Sequence, residues 1–172
     1  LREDLSCLNL LSSEFMVVND VLAKYYGVPL PVSGHRFSRV TASEGRGGIL
    51  SQAAFLLAHS DGEDAHAVNR GVWLRGRLLG DAPRDPPPEV PALSDLDEAI
   101  PDASALSTKE RLSIHRKGIC LDCHADIDPW GIAMESLDAA GKFRDKILRL
   151  APEYKIKKQN LRVIDETEVR GS

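Results

Sequence analysis

Aromatic side chains make up only 5% of the chain, which excludes a core built on stacked rings and leaves the packing to aliphatic groups. No apolar run approaches the ~20 residues of a bilayer-spanning helix, so no membrane span is expected in this segment. Neither sign of charge dominates: the net value is −4, which gives no general case for nucleic-acid or membrane-surface partners. Three cysteines cannot form a disulfide framework. Internal repeats are missing too, which excludes a solenoid. What remains is 172 residues, 42% hydrophobic and 28% charged, enough for one core or a core with a small attached module. The chain opens at Leu1 with neither methionine nor signal peptide, so it is expected to be a segment of a longer protein.

One short run carries specific chemistry. Cys120-Leu121-Asp122-Cys123-His124 reads C-x-x-C-H, the attachment signature of c-type haem. Two thiols one helical turn apart can each form a thioether to a porphyrin vinyl group, and the adjacent imidazole then becomes the proximal iron ligand. The expected cofactor is one covalent haem c on Cys120, Cys123 and His124. A zinc site is the competing reading, but a closed one wants four well-separated ligands, usually in two pairs. A thioredoxin-like thiol pair would need a β-α-β context. Cys7, left over in an apolar stretch, is expected to be an inert buried thiol.

The distal iron ligand stays open among His66, His115, Met134, another chain or none. His66 opens a helix, and its plainer role is a capping or exposed histidine. Met134 lies ten residues past His124, where methionine commonly fills a core. His115 stands close before Cys120 and could meet a haem propionate or end its helix. His35 and His59 have no supporting context. Arg46, Arg70 and Arg116 are candidates for propionate pairing or for intrachain salt bridges, and Trp130 for a wall of the haem pocket.

Hydrophobic spacing gives the coarse organisation. Leu8, Leu11, Phe15, Val18 and Leu22 recur at three- and four-residue steps, which predicts a helical stripe over residues 5–26, broken near Ser12-Ser13 and stopped by Gly27. Residues 37–41 predict a small strand or extended loop. Further helices are predicted over 49–59 and 65–79, the latter with Val68, Val72, Trp73 and Leu79 inward. Residues 81–106 hold Pro86-Pro87-Pro88 and seven acidic residues, a composition that excludes helix and reads as a strap. Ser107-Thr108-Lys109-Glu110 forms a capping box for a helix ending at Gly118. Asp128-Pro129 predicts a new helix with Asp128 as N-cap, burying Ile132, Met134 and Leu137. The predicted organisation is a helical region over residues 1–80, the acidic strap over 81–106, a haem-binding helical region over 107–144, and a basic tail over 145–172 that could open a following domain. The expected fold class is mainly α, a helical haem-c protein with a long proline-rich irregular connection.

Several phrases in order (FMVVNDVLAKYYG from Phe15, Arg46-Gly47-Gly48-Ile49-Leu50, Arg70-Gly71-Val72-Trp73, His115-Arg116 before C-x-x-C-H, and DPWGIAMESLDAAGKFR from Asp128) together resemble the cytochrome-like domains of unknown function in large, secreted, multi-domain planctomycete-type proteins. The resemblance runs from about Leu5 to Arg144. It implies a periplasmic or otherwise extracytoplasmic haem protein whose partners are redox proteins or other domains and subunits of a larger complex. This chain has His66-Ala67 where the family often has Ser-Pro, Met134 where it has leucine or phenylalanine, and Ile127 where a methionine is common. The expected function is electron transfer; the alternatives are a five-coordinate haem enzyme with peroxide or small-ligand chemistry and a structural zinc-binding module.

Overall fold

The computed structural model describes residues 3–29, 34–62, 64–87 and 106–147. A small antiparallel sheet backs the N-terminal half: β1 (Phe15–Val18) pairs with β2 (Ser38–Thr41), Phe15 opposite Thr41 and Val18 opposite Ser38. Strand alternation turns Met16 and Val18 inward and Val17 outward. Helix α1 (Asp20–Tyr26) follows at once, capped by Asn19, whose Oδ1 accepts the Leu22 N–H at 3.1 Å. Gly27 closes it in the left-handed region (φ 68°), donating to the Ala23 and Lys24 carbonyls. Met16, Val18, Ala23 and Val28 form a core beneath Leu22, Tyr26, Val40 and Ala42. Two four-residue strands are marginal alone, so this burial holds the sheet.

The structure thereby corrects the helical stripe expected over residues 5–26. Cys7–Leu10 is a 3-10 turn, with Leu8 67% and Leu10 59% exposed. Cys7 is exposed, not buried. The β-branched Val17-Val18 pair favours a pleated surface, and Asn19 starts the helix only afterwards. The strand reading near residues 37–41 agrees with β2. The helix expected over 49–59 divides into a 3-10 turn, Ile49–Ser51, and α2 (Ala53–Ala58).

The second packing unit carries the motif. Helix α3 (Ala67–Trp73) runs into a π-helical turn, Leu74–Leu79, that ends at Gly80. Helix α4 (Thr108–His115) begins at the expected capping box, with Ser107 and Glu110 satisfying each other's backbone N–H. Helix α5 (Ile119–Ile132) lies against α3, the most extensive helix pairing among the described residues. The crossing is tight because it uses glycine. A Cβ at Gly131 would stand 1.8 Å from the Ala67 carbonyl oxygen, and one at Gly71 only 2.3 Å from the Ile127 carbonyl oxygen. The inward residues of α3 are Ala67, Arg70 and Gly71, with Leu74 beyond them. The expected Val72 and Leu79 are 40% and 52% exposed, because the backbone contact sets the helix's rotation.

Asp128-Pro129 does not start a helix. Both lie inside α5, with Pro129 in its interior, and Asp128 faces the core. Residues 81–87 run without regular structure; the rest of the proline-rich strap and all but the start of the basic tail lie outside the described residues. Among those described, no helix is long and apolar enough to cross a membrane.

Replacing Gly131 by alanine should lower unfolding stability by about 1–3 kcal/mol through overpacking. Gly76→Ala, whose Cβ would meet only Ala82 at 3.6 Å, should leave it within about 0.5 kcal/mol or raise it. Denaturant midpoints check this, and equal midpoints for the two variants would contradict the helix contact.

Candidate functional site

Gly118, at φ 56°, turns the chain into α5. The backbone N–H groups of Cys120 and Leu121 donate to the Lys117 and Gly118 carbonyls at 3.2 Å each. Cys120, Cys123 and His124 therefore occupy the first two turns of one helix at i, i+3 and i+4, which places them on one face. All three are half-buried, and neither thiol is in a disulfide.

One further turn along, Asp128 is 0% exposed and its Oδ1 lies 2.8 Å from His124 Nδ1. A carboxylate can only accept, so the ring donates from Nδ1, and in its neutral form it keeps its lone pair at Nε2. This is the arrangement by which a second-layer carboxylate fixes the tautomer and plane of a metal-binding histidine. Arg116 Nε stands 3.7 Å from Asp128 Oδ2, an ion pair too long for a hydrogen bond. Both atoms are buried without a hydrogen-bond partner among the described residues. Nothing in the sequence pattern pairs Asp128 with Arg116; the i, i+4 spacing from His124 to Asp128 on a helix is the signal the chain carries.

Around this stripe, arginines anchor the turn that follows α5. Arg70, 0% exposed, donates to the carbonyls of Met134, Leu137 and Asp138 at 2.9, 2.8 and 2.9 Å. It is thus committed to backbone, neither to a propionate nor to a simple salt bridge, and burial lowers its pKa. Arg46 likewise donates to the Ser51 and Gly141 carbonyls and lies over the Tyr26 and Phe143 rings. Of the three candidate arginines, Arg116 is the one that faces an α5 carboxylate. Arg144 spans Asp64 at 2.6 Å and Glu135 at 3.1 Å. Burial raises the pKa of Glu135 against the pull of Arg144 and Arg70.

The remaining candidates are dispersed. His66 caps α3, its Nδ1 accepting the Asn69 N–H at 3.2 Å. That cap adjoins Ala67, which touches Gly131, seven residues or ~10 Å of helix from His124. Met134 is 8% exposed and belongs to the core. The side chain of His115 lies outside what is described. His35 is exposed, while His59 packs among Phe55 and Trp73 with ring centroids 4.6 and 5.5 Å away. Trp130 is 43% exposed on α5. A groove of about 570 Å³ is lined by His59, Asn69, Trp73, Gly76, Arg77 and Asp85 among others, but its α3 residues are not those that meet α5. No three His, Cys, Asp or Glu side chains among the described residues sit close enough to share one ion. Haem attachment asks for no such cage, because the thiols bond porphyrin carbons and only the imidazole touches iron.

The site is thus a helix-borne thiol, thiol and imidazole stripe with a buried carboxylate behind it, all within a chain segment that has recognisable kin. Residues 46–147 match the family described as PSCyt3, protein of unknown function (DUF1588), and the chain belongs to that family. The match covers α2 through α5 and the motif, and begins after the Phe15–Gly27 phrase. No curated protein and no solved structure matches the chain.

The raised Glu135 pKa has a definite sign. The fold favours the neutral carboxyl, so its stabilising contribution is complete below the unfolded pKa and is lost as pH rises through the folded one. The Glu135 contribution to stability should fall as pH climbs above the ordinary carboxylate range. Glu135→Gln should flatten that slope in thermal melts; an unchanged slope would contradict the assignment.

Proposed function

We propose that the chain carries one haem c, bound through thioethers to Cys120 and Cys123 with His124 as the axial iron ligand, and that it transfers single electrons. The observation that carries this reading is the stripe itself: a C-x-x-C-H on the first two turns of α5, with the imidazole oriented by a buried carboxylate. The short family name, PSCyt3, is in keeping with a cytochrome. The protein would be an extracytoplasmic module of a larger redox assembly of the planctomycete-type secreted kind. Thioether formation belongs to that side of the membrane, and the partners would be other redox domains or subunits.

Each residue then has a role in the chemistry. When bound, the haem supplies a one-electron iron couple. Cys120 and Cys123 tether it, which lets a modest pocket retain it. His124 would offer Nε2 from a ring whose plane is set by Asp128. Leu112 on α4 and Ile127 on α5 are themselves buried, at 1% and 5% exposed.

The carboxylate–imidazole bond also gives weight to a second reading. A more basic His124 would donate electron density to a bound haem iron, a setting that favours peroxide or small-ligand chemistry.

Material matured with thioether-forming machinery should gain the mass of one haem and hold it through acidic organic extraction. Cys120→Ala with Cys123→Ala should return it to the polypeptide mass. Colourless matured protein at the bare polypeptide mass would overturn the proposal. A reduced low-spin spectrum indifferent to carbon monoxide supports the carrier, whereas ready carbon monoxide binding supports the open-site enzyme.

A further inference from the structure

Asp128 does more than hold a ring still. Its carboxylate is fully buried, one oxygen accepts from His124 Nδ1 at 2.8 Å, and its other oxygen makes no hydrogen bond among the described residues. The cation paired with that second oxygen, Arg116, stands off at 3.7 Å and is 31% exposed. The negative charge is therefore incompletely matched in a poorly polarisable setting, where charge interactions act strongly. The hydrogen bond it accepts comes from His124 Nδ1.

A carboxylate in that position draws the Nδ1 proton toward itself and leaves the ring richer in electrons at Nε2. A more basic Nε2 binds the more highly charged ion preferentially. The couple takes one electron from a single-electron donor onto iron, with no proton moved and no bond made or broken, so any preference for the ferric state appears directly in the reduction equilibrium.

From this geometry we infer that Asp128 is a positioning residue that holds the reduction potential of a His124-bound haem iron low, and that Arg116 moderates it. This rests on the haem c reading above. Arg116 shares the carboxylate with the imidazole, so weakening the cation strengthens the pull on Nδ1. The two residues act in opposite directions on one atom.

The test is a redox titration of the matured, haem-bearing chain with dithionite and mediators, alongside Asp128→Asn and Arg116→Gln. Asp128→Asn should shift the equilibrium toward the ferrous state by about tenfold or more, an upward move of about 59 mV for one electron. Arg116→Gln, altering a partly exposed side chain, should move it the other way and remains informative if Asp128→Asn fails to fold. Where five-coordinate ferrous protein can be prepared, the iron–imidazole stretch in resonance Raman spectra should drop in Asp128→Asn, which a merely structural role would not produce. Haem-bearing variants with the wild-type potential would overturn this inference while leaving the haem reading intact. Matured wild-type protein without haem would overturn both.

Discussion

Backbone contact between α3 and α5 is the constraint on which the rest depends. Ala67 against Gly131, and Gly71 against Ile127, leave no room for a Cβ, so the two helices have one relative position available. At that separation Arg70 reaches over the end of α5 and takes three carbonyls of the following turn. Charge-assisted bonds of this kind contribute roughly 1.5–3 kcal/mol each, which offsets the cost of burying the guanidinium. The same packing leaves Asp128 without solvent access. A carboxylate with no water must take its hydrogen bond from the protein, and His124, one turn back on its own helix, supplies it.

The site was legible because its chemistry is written in adjacent residues. C-x-x-C-H gives the thiols and imidazole without knowledge of the fold, and the structure keeps them on one helical face. The capping box at Ser107 and the stop at Gly27 were readable for the same reason, since each satisfies backbone groups within four residues. Asp128 was legible as a helix residue but misread as a cap. Asp-Pro is a strong local start signal, and only the approach of α3 shows that the carboxylate faces inward.

Tertiary packing overrode sequence pattern elsewhere. Leu8 and Leu11 fit a helical period with Phe15 and Val18, yet β1 forms because β2 is available to pair with it. On α3 and the π-helical turn after it, the apolar Val72 and Leu79 look like the buried face, while the glycine-led contact rotates Arg70 inward. An arginine at a core position is not predictable from hydrophobic period; it follows from three carbonyls that need donors once α5 ends.

Membership of the PSCyt3 family covers residues 46–147, and so joins α2 and α3 with the motif-bearing α5 across the proline-rich stretch. That span agrees with the packing, in which α3 sets the position of α5. The measurement that tests this account most directly is nitrogen NMR of the His124 ring in the folded chain, labelled with ¹⁵N and free of cofactor. The account predicts a ring protonated at Nδ1 with its lone pair at Nε2, a pattern lost in Asp128→Asn. A ring protonated at Nε2 alone, or averaging between tautomers as in an unstructured peptide, would contradict it.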